Sequence, residues 1–169
     1  MNRFIVPVLF LLITNSSFSQ CFKTNYPVDE KSGKVIIKGK NNASAMTKAK
    51  IFDKASIWIM TNISTQPIKN KRNKDTENTM TSNKELGFVK GTLQIDYKYK
   101  EGYRYLLFDI TIIASDGYYD YTINGFNMNR KPMEEYLRLK EKDEVYDMAF
   151  EDICNKLKSI ILDMENSIN

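Results

Sequence analysis

Apolar and polar positions alternate along three consecutive stretches in the middle of the chain. Between Phe88 and Lys100, Leu93, Ile95, Tyr97 and Tyr99 fall on one side, and Thr92, Gln94, Asp96 and Lys98 on the other. Tyr103 to Ser115 alternates again, and Tyr118 to Phe126 forms a third such stretch. A period of two is the signature of a strand with one buried face. The stretches are separated by Glu101-Gly102 and Asp116-Gly117, and Asp-Gly is a strong hairpin signal. If each dipeptide is a two-residue loop, Tyr97 faces Leu106, Ile95 faces Phe108 and Leu93 faces Ile110. In the second hairpin Ile112 then faces Tyr121 and Ile110 faces Ile123. Both assumptions gather the apolar residues of all three strands on one face, an agreement that a one-residue slip would destroy. The prediction is an antiparallel meander.

Two other stretches repeat at helical spacing. Ala49, Phe52, Ala55, Ile59 and Ile63 make a stripe widened by Ile51 and Trp58, with Ser44 or Asn42 available as cap and an end near Asn62, before Pro67. The second begins at Pro132 and is predicted as one long helix. Its stripe runs through Tyr146, Ala149, Phe150, Ile153, Leu157, Ile160, Ile161 and Met164 and covers the sheet. Gly33 to Lys38, with Val35-Ile36-Ile37, reads as a strand, Asn41 to Ser44 as a break, and Thr79 to Ser82 as another short strand. The fold class is α+β: an antiparallel meander with two helices packed on one face. Residues 20–130 form the sheet domain with its first helix, and residues 131–169 add the C-terminal helix to the same domain.

The predicted register also composes the opposite face of the sheet. It collects Asp96 from the first strand, Tyr103, Tyr105, Leu107 and Asp109 from the second, and Tyr118 from the third. Tyrosine presents an apolar body with a polar tip, which suits a half-wet recognition surface. These six residues are the candidate binding face.

Composition then narrows the chemistry. The chain has 169 residues, a net charge of +4 and no histidine. Without histidine there is no Ser-His-Asp triad, no Cys-His pair and no His-ligated zinc or haem. Two cysteines are too few for a structural zinc site or an iron–sulfur cluster. No Walker loop, dinucleotide fingerprint, nucleophile elbow or calcium loop is present, so no cofactor and no metal are expected. Asp109 and Asp96, near each other in the predicted register with Asp109 across from Gln94, are the one pair of carboxylates that could do acid–base work. A carboxylate-dependent enzyme is therefore the alternative to a binding module, and a structural subunit of an envelope assembly is a third reading.

The N-terminus supplies an address. Arg3, the apolar run Phe4 to Ile13 and the small polar residues up to Gln20 have the three parts of a secretory signal peptide, with cleavage after Ser19. The run is about half the length of a membrane span. The expected location is the periplasm or the exterior. Gln20, rather than a small residue, precedes Cys21, which argues against lipid attachment there. An exported chain may form disulfides, so Cys21 and Cys154 are a candidate pair. Lys69, Lys71, Arg72 and Lys74 make residues 64–78 a basic loop that also holds Asp75 and Glu77.

The order of several short motifs resembles a known family. These are Tyr26-Pro27-Val28-Asp29 with Gly33-Lys34-Val35, Phe52-x-x-Ala55-x-x-Trp58-Ile59, Glu85-x-Gly87-x-x-x-Gly91, and the Tyr103-to-Ser115 strand with its Asp116-Gly117 hairpin. Over roughly residues 26 to 126 the chain is similar to a bacterial family of exported domains of unknown function with a TBP-like fold. The resemblance implies a curved antiparallel sheet with helices on one face, and no activity. Nucleic acid is not the expected partner, because Asp96, Asp109 and Asp120 on the open face oppose phosphate. The expected function is that of a non-catalytic exported module that binds an envelope protein or a peptide.

Overall fold

The computed structural model describes residues 27–65, 80–129, 131–140 and 144–169. The expected signal peptide, Cys21 and residues 66–78 of the expected basic loop lie outside these residues. The elements are β1 (Ile37–Asn42), α1 (Lys48–Thr65), β2 (Met80–Asn83), β3 (Phe88–Tyr99), β4 (Gly102–Ser115), β5 (Tyr118–Met128), β6 (Lys131–Pro132), α2 (Met133–Lys140) and α3 (Glu144–Ile168). The sheet is antiparallel with strand order β1-β5-β4-β3-β2, and β6 continues the line of β1 along β5.

The β4–β5 hairpin has the predicted register, with Ile112 opposite Tyr121 and Ile110 opposite Ile123 around Asp116-Gly117. The β3–β4 hairpin does not. Tyr99 pairs with Gly102, so the two-residue loop is Lys100-Glu101, and Lys100 takes the left-handed conformation at φ 54°. Tyr97 faces Arg104, Ile95 faces Leu106 and Leu93 faces Phe108. Moving the loop by one residue shifts every pair by two, which preserves the faces. Anchoring at the end of β3 accounts for the choice: Tyr99 packs on Tyr146 of α3 at 5.4 Å between ring centroids, and the Arg104 guanidinium sits 3.9 Å from the same ring.

A bulge at Gly125 (φ 66°) breaks the β4–β5 ladder between Leu107 and Asp109. The extra residue changes the phase of β5, so Tyr119, Tyr121 and Ile123 are buried before it and Phe126 and Met128 after it. Phe126 thereby stacks on Phe108 with centroids 5.9 Å apart. The first strand is displaced from its predicted place. Val35 forms a bridge with Val28, and β1 runs on through Asn41-Asn42, because these residues pair with Tyr119 and Tyr118.

The helices among the described residues pack on one face, and three are described rather than two. In place of the expected single C-terminal helix, the described residues form α2 and α3, whose Tyr136 and Tyr146 rings lie 6.0 Å apart, too close for ten residues of one straight helix, which span about 15 Å. The stripe of α3 is otherwise the one expected from its spacing, with Ala149, Phe150, Ile153, Leu157, Ile161 and Met164 buried. On α1 the residues Ile51, Phe52, Ala55, Trp58 and Ile59 are buried. α1 approaches β3 at Gly91, where a Cβ would lie 2.5 Å from Cγ2 of Ile59. The two long helices are joined by a bond from Trp58 Nε1 to Asp163 Oδ2 at 2.7 Å.

The start of α1 is capped from outside its own segment. Thr47 Oγ1 accepts from the Lys50 amide at 3.4 Å, and Asp116 Oδ1 from the β4–β5 turn accepts from the Lys48 amide at 2.7 Å. The amide of Ala43 donates to Gly117 O, and that of Gly117 to Met46 O. Asn42 and Ser44 do not serve as the cap. No helix among the described residues is long and apolar enough to cross a membrane.

Candidate functional site

No described element covers the second face of the sheet. Along β4 the even-numbered residues from Leu106 to Ala114 are buried under the helices, while Tyr103, Tyr105, Leu107, Asp109, Thr111 and Ile113 are half-buried or exposed. Asp96 on β3 and Tyr118 on β5 share this face, as the alternation requires. All six candidate residues therefore lie on one surface, but they are not one site.

Asp96 stands opposite Tyr105, and Tyr103 opposite Lys98, so these four residues cluster at the end of the sheet near the β3–β4 loop. Tyr118 stands opposite Ser115 at the other end, ten residues along β4 from Tyr105, about 34 Å away at the rise of a strand. There its ring receives Lys40 Nζ at 3.7 Å from the centroid. Leu107 and Asp109 lie between the two ends.

The carboxylate pair does not form. Asp109 faces Thr92, not Gln94, so Asp96 and Asp109 are offset by four residues, about 13 Å along the strands. Paired carboxylates that hydrolyse glycosides sit about 5–9.5 Å apart. Asp109 is instead a structural group. Its Oδ1 accepts from Thr92 Oγ1 at 2.7 Å, its Oδ2 is 2.7 Å from Lys90 Nζ, and it lies over the bulge glycine, where a Cβ would be 3.5 Å from Oδ2. Asp96 accepts from Gln94 Nε2 at 3.4 Å. The two-residue shift of the first hairpin is what separates the acids. Among the described residues no three His, Cys, Asp or Glu side chains converge on a metal position.

The edge of β3 is finished by α3. β2 pairs only with Phe88–Gly91. Farther along, the Lys98 amide donates to Asp152 Oδ2 at 2.7 Å, and Lys156 Nζ donates to the carbonyl of Asp96. Asp152 and Lys156 form an ion pair at 3.1 Å. The pair satisfies two backbone groups on the β3 edge, at Lys98 and Asp96, as a neighbouring strand would. Beside it, between α3 and the β3–β4 loop, lies a groove of about 690 Å³ lined by Lys98, Lys100, Tyr103, Val145, Met148, Glu151, Asp152, Asn155 and Lys156. The α3 members were not among the candidates. Their one visible signal is Met148, an apolar residue that falls off the buried stripe and is 68% exposed.

The tyrosines of the covered face serve the core. Burial pushes Tyr97 up to about 12, and Tyr119 likewise to about 12, with the Asn41 hydrogen bond pulling the latter back. Burial also raises Tyr121. Asn41 Nδ2 donates to both Tyr119 OH (3.1 Å) and Glu165 Oε1 (2.8 Å), which ties the β1 edge to α3. Cys154 is a buried thiol on the inner stripe of α3, and its expected partner Cys21 is outside the described residues.

No family model and no curated protein matches the chain. Two solved structures do. One is a DUF4468 family protein from Bacteroides ovatus, with a TM-score of 0.62 and 17% identity over 84% of this chain and 90% of that one. The other is a TBP-like protein from Parabacteroides distasonis, with a TM-score of 0.65 and 12% identity over 83% of this chain and 96% of that one. At such identities the likeness is one of architecture: the chain has the TBP-like fold, as in the Parabacteroides structure.

Proposed function

We propose that the chain is an exported, non-catalytic binding module of the cell envelope, and that its recognition surface is the uncovered sheet face around Tyr105 and Leu107. One observation carries the reading: every described helix packs on the same side of the sheet, which leaves tyrosine and leucine side chains half-buried on the other. Tyr105 and Leu107 share this face with Tyr103 and Ile113, which are exposed, and aromatic residues dominate binding energetics. The separation of Asp96 from Asp109 supports the same reading, since it leaves no acid–base pair on this face. The address rests on the N-terminal leader pattern.

The test is crosslinking and affinity capture of the tagged protein from its native host after export. The Tyr105→Ser/Leu107→Ser double variant runs beside it, with circular dichroism to check folding. The expected outcome is a captured envelope component that is lost from the folded double variant. The same components in both samples would remove this face as the binding surface.

A further inference from the structure

We propose that the groove between α3 and the β3–β4 loop binds an extended peptide carrying a carboxylate next to a bulky apolar side chain. The proposal rests on the reading of the chain as a binding module and adds a second surface and a class of partner.

The groove has the volume of a ligand site, about 690 Å³. Its rim is apolar from both walls. Tyr103 on the strand side is 74% exposed and Met148 on the helix side 68%. Methionine adapts to varied partners, and exposed tyrosine anchors them. The charges inside divide into two sets. Asp152 and Lys156 are satisfied by each other and by the β3 edge. Lys98 and Lys100, on the strand wall, have no carboxylate within ion-pair distance among the described residues, and a single further acid, Glu151, stands on the helix wall. The groove thus keeps two uncompensated cations against one anion, which complements a carboxylate.

Geometry sets the spacing of the ligand groups. Lys98 and Tyr103 are direct cross-strand partners, so their side chains are about 5 Å apart. Adjacent side chains of an extended peptide point to opposite sides, so an acid that meets Lys98 on the strand wall sends the neighbouring apolar side chain toward Met148 on the helix wall. The lining residues Val145 to Lys156 span eleven steps of α3, about 16 Å, which is room for about five extended residues. That length fits a peptide rather than a small anion.

The test is a fluorescence anisotropy titration of the protein, purified after export from its full-length gene, with labelled hexapeptides. The probes are Gly-Ser-Glu-Phe-Ser-Gly, its Lys-Phe counterpart and its Glu-Ser counterpart. The expected result is at least tenfold tighter binding of the Glu-Phe peptide than of either control. Lys98→Glu/Lys100→Glu should reverse the preference toward Lys-Phe, and Met148→Ser should weaken Glu-Phe binding at least fivefold. Tyr105→Ser/Leu107→Ser should leave the titration unchanged. Equal binding of the Glu-Phe and Lys-Phe peptides, or no binding of any of them at millimolar concentration by the folded protein, overturns the proposal. The double variant on the sheet face separates the two surfaces. A partner lost from that variant while the peptides fail to bind leaves the sheet-face reading standing and removes the groove.

Discussion

The seven tyrosines on the strands serve two purposes, and which one each serves depends on parity along its strand. Tyr97, Tyr119 and Tyr121 point under the helices, where their rings fill the core and their hydroxyls lose contact with water. Tyr103 and Tyr105 point the other way and remain available. Burial disfavours the phenolate, so Tyr97 and Tyr119 are raised to about 12 in the folded state. In the unfolded chain a tyrosine ionises near 10. A group with a raised folded value contributes stability that is complete below the unfolded value and disappears as pH climbs to the folded one. The stability contributed by these two residues is therefore constant up to about pH 10 and falls between about pH 10 and 12. Urea denaturation across that window, read beside phenolate absorbance near 295 nm, checks it. The expected outcome is that part of the phenolate signal appears only on unfolding, and equal phenolate absorbance of the folded and the unfolded protein at about pH 10.5 would contradict it.

At the scale of elements, the motifs that carry the family resemblance turn out to hold the fold. Asp29 accepts from the Ser32 amide and hydroxyl, both at 2.8 Å, and closes the turn between Val28 and Val35 together with Gly33 at φ 64°. Phe52, Ala55, Trp58 and Ile59 are the buried stripe of α1. Gly91 lets that stripe approach β3, and Asp116 caps the same helix from across the fold. Each can be disturbed separately. Asp116→Ala removes a cap and should lower stability by about 1 kcal/mol. Gly91→Val forces α1 off the sheet and should cost about 1–3 kcal/mol. Chemical denaturation of both variants reads the two effects, and an unchanged midpoint in either would show that the contact is dispensable. The register of the β3–β4 hairpin belongs to this scale as well. Sequence alternation is blind to a shift of two, because such a shift leaves every side chain on its own face. The choice between Glu101-Gly102 and Lys100-Glu101 was made by Tyr99, which α3 anchors through Tyr146.

Over the whole molecule, α1, α3 and the sheet share one core. The single tryptophan, Trp58, is 4% exposed and bonded to Asp163 of α3, so its fluorescence reports the docking of the two long helices. The transitions of Trp58 fluorescence and far-ultraviolet circular dichroism in urea should coincide. Separate transitions would mean that residues 131–169 form a second cooperative unit. Trp58→Phe keeps most of the packing but leaves Asp163 without its donor, and should lower stability by about 1 kcal/mol in the same experiment. Among the described residues the open sheet face and the groove at its end are consequences of this arrangement, since the described helices pack on one side of the sheet.

The amino-acid sequence by itself determined the class of the fold. Periods of two and 3.6 are local properties, and they fixed the three long strands, the helical stripes, the face each side chain takes and the second hairpin register. The absence of histidine settled much of the excluded chemistry in the same way. Only the tertiary structure decided the first hairpin register, the bulge at Gly125 that turns Phe126 into the core, the packing of α2 against α3 and the cap supplied by Asp116. These depend on contacts between residues far apart in the chain, which no periodicity encodes. The candidate site divides along the same line. The six residues were legible as one face because parity alone places them there. Their separation into two ends of the sheet, the distance between Asp96 and Asp109, and the joining of Lys98 and Tyr103 to Met148 came from pairing and packing.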